Sequence, residues 1–100
     1  MQVNIHASEF HVDQKLNDLI EKKIQKLTQY YNKITTAEIY LNLENKSSHV
    51  KDKAVGIKLI VPGNTLYADE KSKNFEEAID MSVDSLRRQL KRYKQKLEQQ

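Results

Sequence analysis

A chain of 100 residues with 38% hydrophobic and 31% charged content fits one compact domain and leaves no room for a second core. Cysteine is absent, which excludes a disulfide framework, a thiolate zinc site and a thiol nucleophile, and suits a cytoplasmic protein. The net charge is +3, from 17 Lys and Arg against 14 Asp and Glu, yet removing the six cations of "SLRRQLKRYKQK" (85–96) leaves 11 against 14. The positive balance resides in that one segment, and such local concentration says more about partners than the sum does. No apolar stretch approaches the roughly 20 residues that span a bilayer. The start shows neither the basic region nor the apolar run of a signal peptide.

In chain order, "QVNIHA" alternates Val3 and Ile5 with polar neighbours, the pattern of a short half-buried strand. Asp13 is a good N-cap for a helix whose apolar stripe is Leu16, Leu19, Ile20, Ile24, Leu27 and Tyr31. At about 100° per residue, Lys15, Lys22, Lys26 and Lys33 fall on a separate line of that helix. Its expected end is "YYNKITT", where Asn32 and two β-branched threonines weaken it.

"AEIYLNLEN" predicts a strand with Ile39, Leu41 and Leu43 inward and Glu38, Tyr40, Asn42 and Glu44 outward. "KSSHVKDK" reads as a polar loop, and "AVGIKLIV" as a second long strand with Val55, Ile57, Leu59 and Val61 on one face. "PGN" at 62–64 is a turn: Pro62 presets one central position, and Gly63 or Asn64 can take positive φ. "TLYADEK" is the returning strand. Asn74 caps the last helix, with Glu77 placed as in a capping box, and Phe75, Ile79, Val83, Leu86, Leu90, Tyr93 and Leu97 follow in unbroken steps of three and four. The order β-α-β-β-β-α predicts an α+β fold: a four-stranded sheet with both helices on one face, and Tyr40, Asn42 and Lys58 on the face left in water.

Little in the chain suggests catalysis. His6, His11 and His49 show no spacing typical of a metal pair, and "SSH" at 47–49 lacks the elbow of a hydrolase nucleophile. Two glycines cannot build a phosphate-cradling glycine-rich loop. Glu76, Glu77, Asp80 and Asp84 lie early in the last helix, where negative charge complements the helix dipole. The expectation is a protein with no enzymatic activity, metal, cofactor or small-molecule substrate.

The basic segment is the informative feature. Two or three cations would satisfy the dipole at a helix C-terminus. Arg87, Arg88, Lys91, Arg92, Lys94 and Lys96 exceed that need, repel one another and spread around the exposed side of the helix. Lys22, Lys23 and Lys26 add a second basic line on the first helix. Side by side on a sheet, the two helices would present one ridge to phosphates, with salt-sensitive binding. Such a rigid surface, without stacking aromatics in loops, suits structured RNA read by shape and backbone.

"MQVNI", "IQKLTQYY" and "EEAIDMSVDSLRRQLKRYKQKL" together resemble the ribosome hibernation-promoting factor family, also called ribosome-associated inhibitor or ribosomal subunit interface protein. The resemblance covers essentially the whole chain. It implies a bacterial, cytoplasmic protein of stress response and stationary phase, built as one ribosome-binding domain over residues 1–100 with a fold similar to double-stranded RNA-binding domains. Its implied partner is the small ribosomal subunit, both rRNA and ribosomal proteins, within the whole ribosome. There it would cover the decoding region used by mRNA and tRNA and stabilise inactive ribosomes by occlusion. By position, the resemblance implies rRNA contacts for Lys26, in the family's Lys-Leu pair, for Arg88, in its Arg-Gln-Leu motif, and for its trailing cations Arg92, Lys94 and Lys96. Lys22, Lys23, Arg87 and Lys91 join them on charge and placement alone. Ser85 stands where the family often has Lys, and Glu76 where an aromatic is usual, with Arg87 supplying charge nearby. Ending at "KLEQQ", the chain is expected to be the short form, monomeric off the ribosome. The alternative reading is a general double-stranded RNA-binding module; a protein-interaction module and a hydrolase rank below it, for want of a spare apolar stripe and of a nucleophile with its base.

Overall fold

The structure, a computed structural model, describes residues 1–45 and 51–99. Its elements are β1 (Gln2–Ala7), α1 (Gln14–Gln25), a 3-10 turn (Lys26–Gln29), β2 (Thr36–Asn45), β3 (Lys51–Val61), β4 (Asn64–Ser72) and α2 (Phe75–Glu98). The strands form one sheet in the order β1-β2-β3-β4, with β1 parallel to β2 and the other pairs antiparallel. The α+β class and the strand–helix order expected from the sequence hold. His49 and "SSH" lie outside the described residues.

Period-2 alternation places the core. Val3, Ile5 and Ala7 are in register with Ala37, Ile39 and Leu41, which face Leu59, Ile57 and Val55 on β3; Leu66 and Ala68 continue the rows onto β4. Ala37, Ile39, Leu41, Ile57 and Leu59 are completely buried. Both helices cover this face, α1 against β1 and α2 against β3 and β4. Ile20, Ile24 and Leu27 come down from the first helical segment, and Ile79, Leu86 and Leu90 from α2. Ala78 and Ser82, also fully buried, are small enough to bring the α2 backbone close to the sheet. The Ser82 hydroxyl donates to the Ala78 carbonyl at 2.9 Å, so this buried polar atom is satisfied within the helix.

Local signals set the boundaries. The Leu16 amide donates to Asp13 Oδ1, and the Glu77 amide to Asn74 Oδ1, each at 2.8 Å, so both expected N-caps form. Pro62 and Gly63 make the tight β3–β4 turn, and Gly63, at φ 78°, takes the left-handed position that a type II turn needs. Three details differ from the sequence pattern. The α-helical part of the first helix stops at Gln25, where the Thr28 hydroxyl donates to the Gln25 carbonyl at 2.7 Å and the chain tightens into the 3-10 turn. The residues from Lys51 to Lys53, expected in a loop, extend β3, because they pair with Leu43–Asn45. Leu97, expected in the apolar stripe, is 40% exposed, since α2 runs past the sheet.

The overhang follows from the length of α2. A helix of 24 residues is about 36 Å long, and its last fully buried residue is Leu90. Tyr93 makes the final anchor: its hydroxyl donates to the Pro62 carbonyl at 3.1 Å, and its ring meets Tyr31 edge-on at 5.6 Å. Beyond it, one helical turn stands clear of the core. Leu86→Ala should therefore lower the unfolding free energy by about 2–5 kcal/mol in chemical denaturation. Leu97→Ala, on the overhang, should change it by less than about 0.5 kcal/mol.

Candidate nucleic-acid interface

The two helices run in the same direction, with Lys23 of α1 beside Asp80 of α2 and, further along, Tyr30 beneath Lys91. Their N-terminal ends lie side by side, so α1 ends beside the middle of α2, and the 3-10 turn and the loop after it continue along the C-terminal half of α2. Both helix dipoles direct partial negative charge towards that half, which makes it a favourable place to gather cations. The outer surface of α2 divides accordingly. Glu76, Glu77, Asp80 and Asp84 occupy its N-terminal half, and Arg87, Arg88, Lys91, Arg92, Lys94 and Lys96 its C-terminal half.

Helical spacing splits the α2 cations into two rows. Arg87, Lys91 and Lys94 face the first helix and the turn after it: Arg87 lines a groove with Lys23, Lys26 and Tyr30, Lys91 Nζ sits 5.5 Å from the centre of the Tyr30 ring, and Lys94 lines a hollow with Tyr30, Tyr31 and Lys33. Arg88, Arg92 and Lys96 form the outer row, and Arg92 and Lys96 border the β3–β4 turn beside Asn64 and Leu66. On the first helix Lys22 and Lys26 are exposed. Lys22 stands towards the far end, beside Leu16 and Phe75, whereas Lys26, at the start of the 3-10 turn, belongs to the basic end.

The ridge is not a uniform run of free cations. Lys23 is ion-paired with Asp80 across the two helices. Arg87 donates to Asp84 Oδ1 at 2.8 Å, and Arg88 lies 3.6 Å from Asp84 Oδ2. The Arg87 hydrogen bond, followed by the Coulombic pull of Arg87 and Arg88, holds the Asp84 carboxyl below its ordinary range. The acids of early α2 thus do more than complement the helix N-terminus: two of them draw candidate cations into the inter-helix groove. Lys22, Lys26, Lys91, Arg92, Lys94 and Lys96 have no salt-bridge partner recorded among the described residues, and the Arg88 side chain is 62% exposed.

Tyr30 joins the basic end, although the helical pattern of the sequence does not single it out. The stripe took in Tyr31, but the 3-10 turn changes the angular step and swings Tyr30 under Lys91. The basic end therefore carries a half-buried aromatic in a loop, where none was expected. Lys33, which continues the Lys15–Lys22–Lys26 line on a helical wheel, lies beyond the 3-10 turn and departs from it. The histidines stay apart: His6 is engaged by Glu38 at 2.7 Å and stacked on Tyr40, while His11 lies in the loop before α1. Among the described residues no three His, Cys, Asp or Glu side chains converge to hold a metal ion, and no helix is long and apolar enough to cross a membrane.

Residues 3–98 match the family described as sigma 54 modulation protein / S30EA ribosomal protein. The chain belongs to this family. Family members with similar sequences include a protein named ribosome hibernation promoting factor from Salmonella typhimurium, 33% identical over 99% of both chains. One of the same name from Escherichia coli K12 is 32% identical, again over 99% of both, and another from Pseudomonas putida is 31% identical over 96% of this chain and 89% of its own. The N-terminal domain of protein Y from Thermus thermophilus superposes with a TM-score of 0.81 at 26% identity, covering 93% of this chain and 99% of that domain. A ribosomal subunit interface protein from Coxiella burnetii shares the fold, with a TM-score of 0.82 at 22% identity over 94% of this chain and 98% of its own.

The S30EA-family chain should respond to its acids in a defined direction. Asp84→Asn frees Arg87 and Arg88, so its affinity for a heparin column or an RNA duplex should rise, and elution should move to higher salt. The pairing contributes to stability above the unfolded carboxyl range, near 3.9, and is lost only as pH falls through the depressed folded value. An NMR titration of the Asp84 carboxyl should therefore place its midpoint below that range in the wild type, and closer to it in Arg87→Gln.

Proposed function

We propose that the chain is a ribosome-binding hibernation factor. On this reading it acts in the bacterial cytoplasm as a single domain over residues 1–100, and its basic end lies on rRNA of the small subunit in the decoding region. Bound there, it occupies the space of mRNA and tRNA and keeps ribosomes inactive by occlusion, with no chemical step. The observation that carries the proposal is the gathering of Lys26, Arg87, Arg88, Lys91, Arg92, Lys94 and Lys96 along the C-terminal half of α2 and the 3-10 turn beside it, in a chain whose similar relatives are named ribosome hibernation promoting factors.

Each role follows from chemistry. Arg88, Arg92 and Lys96 form an outer row that can lie along a phosphate backbone, the arginines by forked hydrogen bonds and Lys96 as a point charge. Lys91, Lys94 and Lys26 offer a second row across the inter-helix groove. Lys23 and Arg87 exchange their carboxylate partners for phosphate on binding, and Lys22 contacts at the margin. Seating this surface releases counterions from RNA, so affinity falls steeply with salt. A rigid surface of this kind selects the spacing of phosphates rather than base sequence.

The test is co-sedimentation with purified small subunits and whole ribosomes across a salt series, beside an Arg88→Glu/Arg92→Glu variant whose fold is checked by circular dichroism. The expected result is saturable binding to small subunits that weakens with salt and is lost in the folded variant. Milder single substitutions such as Arg92→Gln should lower the slope of log affinity against log salt by about 1. Absence of wild-type binding at low salt would overturn the ribosome reading. Equal affinity for any long RNA duplex would favour a general double-stranded RNA-binding module instead.

A further inference from the structure

The face of the sheet opposite the helices carries its own organised surface. Its outward rows are Gln2, Thr36, Ile60 and Thr65, then Asn4, Glu38, Lys58 and Tyr67, then His6, Tyr40, Gly56 and Asp69, then Asn42, Ala54 and Lys71, and lastly Glu44 with Asp52. Four carboxylates, from Glu38, Glu44, Asp52 and Asp69, stand there against two ammonium groups, from Lys58 and Lys71. This face is therefore negative on a chain whose total charge is +3. Glu38 accepts hydrogen bonds from Asn4 and His6, which hold its carboxyl below the ordinary range, and Lys71 is paired with Glu44 at 2.7 Å.

Two large aromatics remain uncovered in the middle of this charge, Tyr40 at 40% and Tyr67 at 52% exposure. Their arrangement depends on Gly56. A Cβ at that position would lie 2.6 Å from the Tyr67 hydroxyl oxygen, so the missing side chain is what lets the Tyr67 ring lean across β3 towards Tyr40. One face of Tyr40 is itself covered by His6, stacked on it with ring centres 5.0 Å apart, which leaves the other face towards Gly56 and Tyr67. The result is an open depression of about 590 Å³ between Tyr40 and Tyr67, lined by the acids Glu44, Asp69 and Glu70 and by one cation, Lys71, which is paired with Glu44. Glycine shielding by a cross-strand aromatic accounts for Tyr67 alone; it leaves unexplained a second exposed tyrosine and the surrounding excess of carboxylates.

We propose that this depression binds an arginine-rich protein segment in extended conformation. A planar guanidinium stacks on a tyrosine face better than an ammonium does, and its remaining N–H groups reach carboxylates in a forked arrangement. Tyr40 and Tyr67 supply the faces and Asp69 an acceptor, with Glu44 a second acceptor once it exchanges Lys71 for the guanidinium. The depression has room for more than one side chain, which suits a peptide rather than a single ion. RNA is repelled by the same charge, so the surface is complementary to a basic protein while the helices are complementary to polyanion. A protein bound to nucleic acid by its helices would hold this face free for a second, basic partner.

The test uses the intact protein and a fluorescein-labelled peptide of alternating arginine and glycine, followed by fluorescence anisotropy at low salt, with lysine and glutamate analogues for comparison. Saturable binding is expected for the arginine peptide, weaker binding for the lysine form and none for the glutamate form. Tyr67→Ala and Asp69→Lys should each raise Kd about tenfold, whereas Tyr67→Phe, which keeps the ring, should bind like the wild type. Asp69→Lys changes only an exposed side chain, so it remains informative if Tyr67→Ala impairs folding. Arg88→Glu/Arg92→Glu should leave peptide binding intact or strengthen it. No peptide binding, or binding that ignores Tyr67 and Asp69, would overturn the proposal. So would concentration-dependent self-association in sedimentation velocity that Asp69→Lys abolishes, since the occupant would then be the basic end of a second copy. The titration contains no RNA, so its failure leaves the ribosome reading untouched, and the reverse also holds.

Discussion

The seating of α2 on the sheet is the contact from which the other features follow. Ala78 and Ser82 let the backbone approach, and Ile79, Leu86 and Leu90 fill the space against β3 and β4. Each fully buried aliphatic side chain contributes roughly 1.5–3 kcal/mol of transfer free energy, so these positions hold the helix along one line. Gln89 reinforces that line by donating to the Tyr67 carbonyl at 2.9 Å, and thereby satisfies an acceptor on the edge strand β4. Because the helix is longer than the face it covers, the line continues past the core. The residues on that extension, Lys94 and Lys96, are free of packing duties.

The parallel β1–β2 connection then decides which end of α1 meets the overhang. Because β1 and β2 are parallel, the connection between them has to return along the sheet, and α1 makes that return beside α2. The end of α1 and the 3-10 turn after it fall beside the C-terminal half of α2, which brings Lys26 and Tyr30 to the cations of late α2. Antiparallel helices would have placed Lys23 and Lys26 beside Glu76 and Glu77, and the charges would have cancelled. The cancellation that does occur is local: Asp80 engages Lys23, and Asp84 engages Arg87. These exposed pairs are weak supports of the fold, so on the proposed reading they are the ones most easily exchanged for phosphate.

Much of this was legible in the sequence, because the two periods of hydrophobicity are clean. The alternation in "AEIYLNLEN" and "AVGIKLIV" assigns the inward faces of β2 and β3, and Asp13 and Asn74 cap the helices where their side chains can accept from the third amide on. The pattern fails where a covering element ends. Leu97 repeats the α2 stripe without a sheet beneath it, and Leu43, near the end of β2, is only half-buried. It fails again where local hydrogen bonding chooses between two helical forms: the stripe through Leu27 is compatible with either, and the Thr28 hydroxyl on the Gln25 carbonyl accompanies the 3-10 form. Lys51–Lys53 are strand only because β2 supplies a partner, a non-local fact that polar residues do not advertise. Charge in the sequence marks the cations of late α2, but it does not show that Lys22 falls towards the far end, and the Lys23–Asp80 pairing joins residues 57 apart and required the fold. Gly56 carries no assigned role in the sequence pattern; the structure shows that the group approaching it is the Tyr67 hydroxyl.

A small positive total conceals a molecule with ordered polarity. The acids of early α2 lie at one end, the cations of late α2 at the other, and the uncovered sheet face has more carboxylates than ammonium groups. In the field of a polyanion such a body turns as it approaches, because the basic end is drawn in while the acidic end and the sheet face are pushed out. Orientation is selected before contact, and the number of unproductive encounters falls. The same repulsion disfavours binding by the wrong face after contact, so specificity of pose comes from where the carboxylates are as much as from where the cations are. A uniformly basic protein of equal affinity would lack that discrimination: it would adhere to RNA by any face, with no surface left whose charge suits a basic protein.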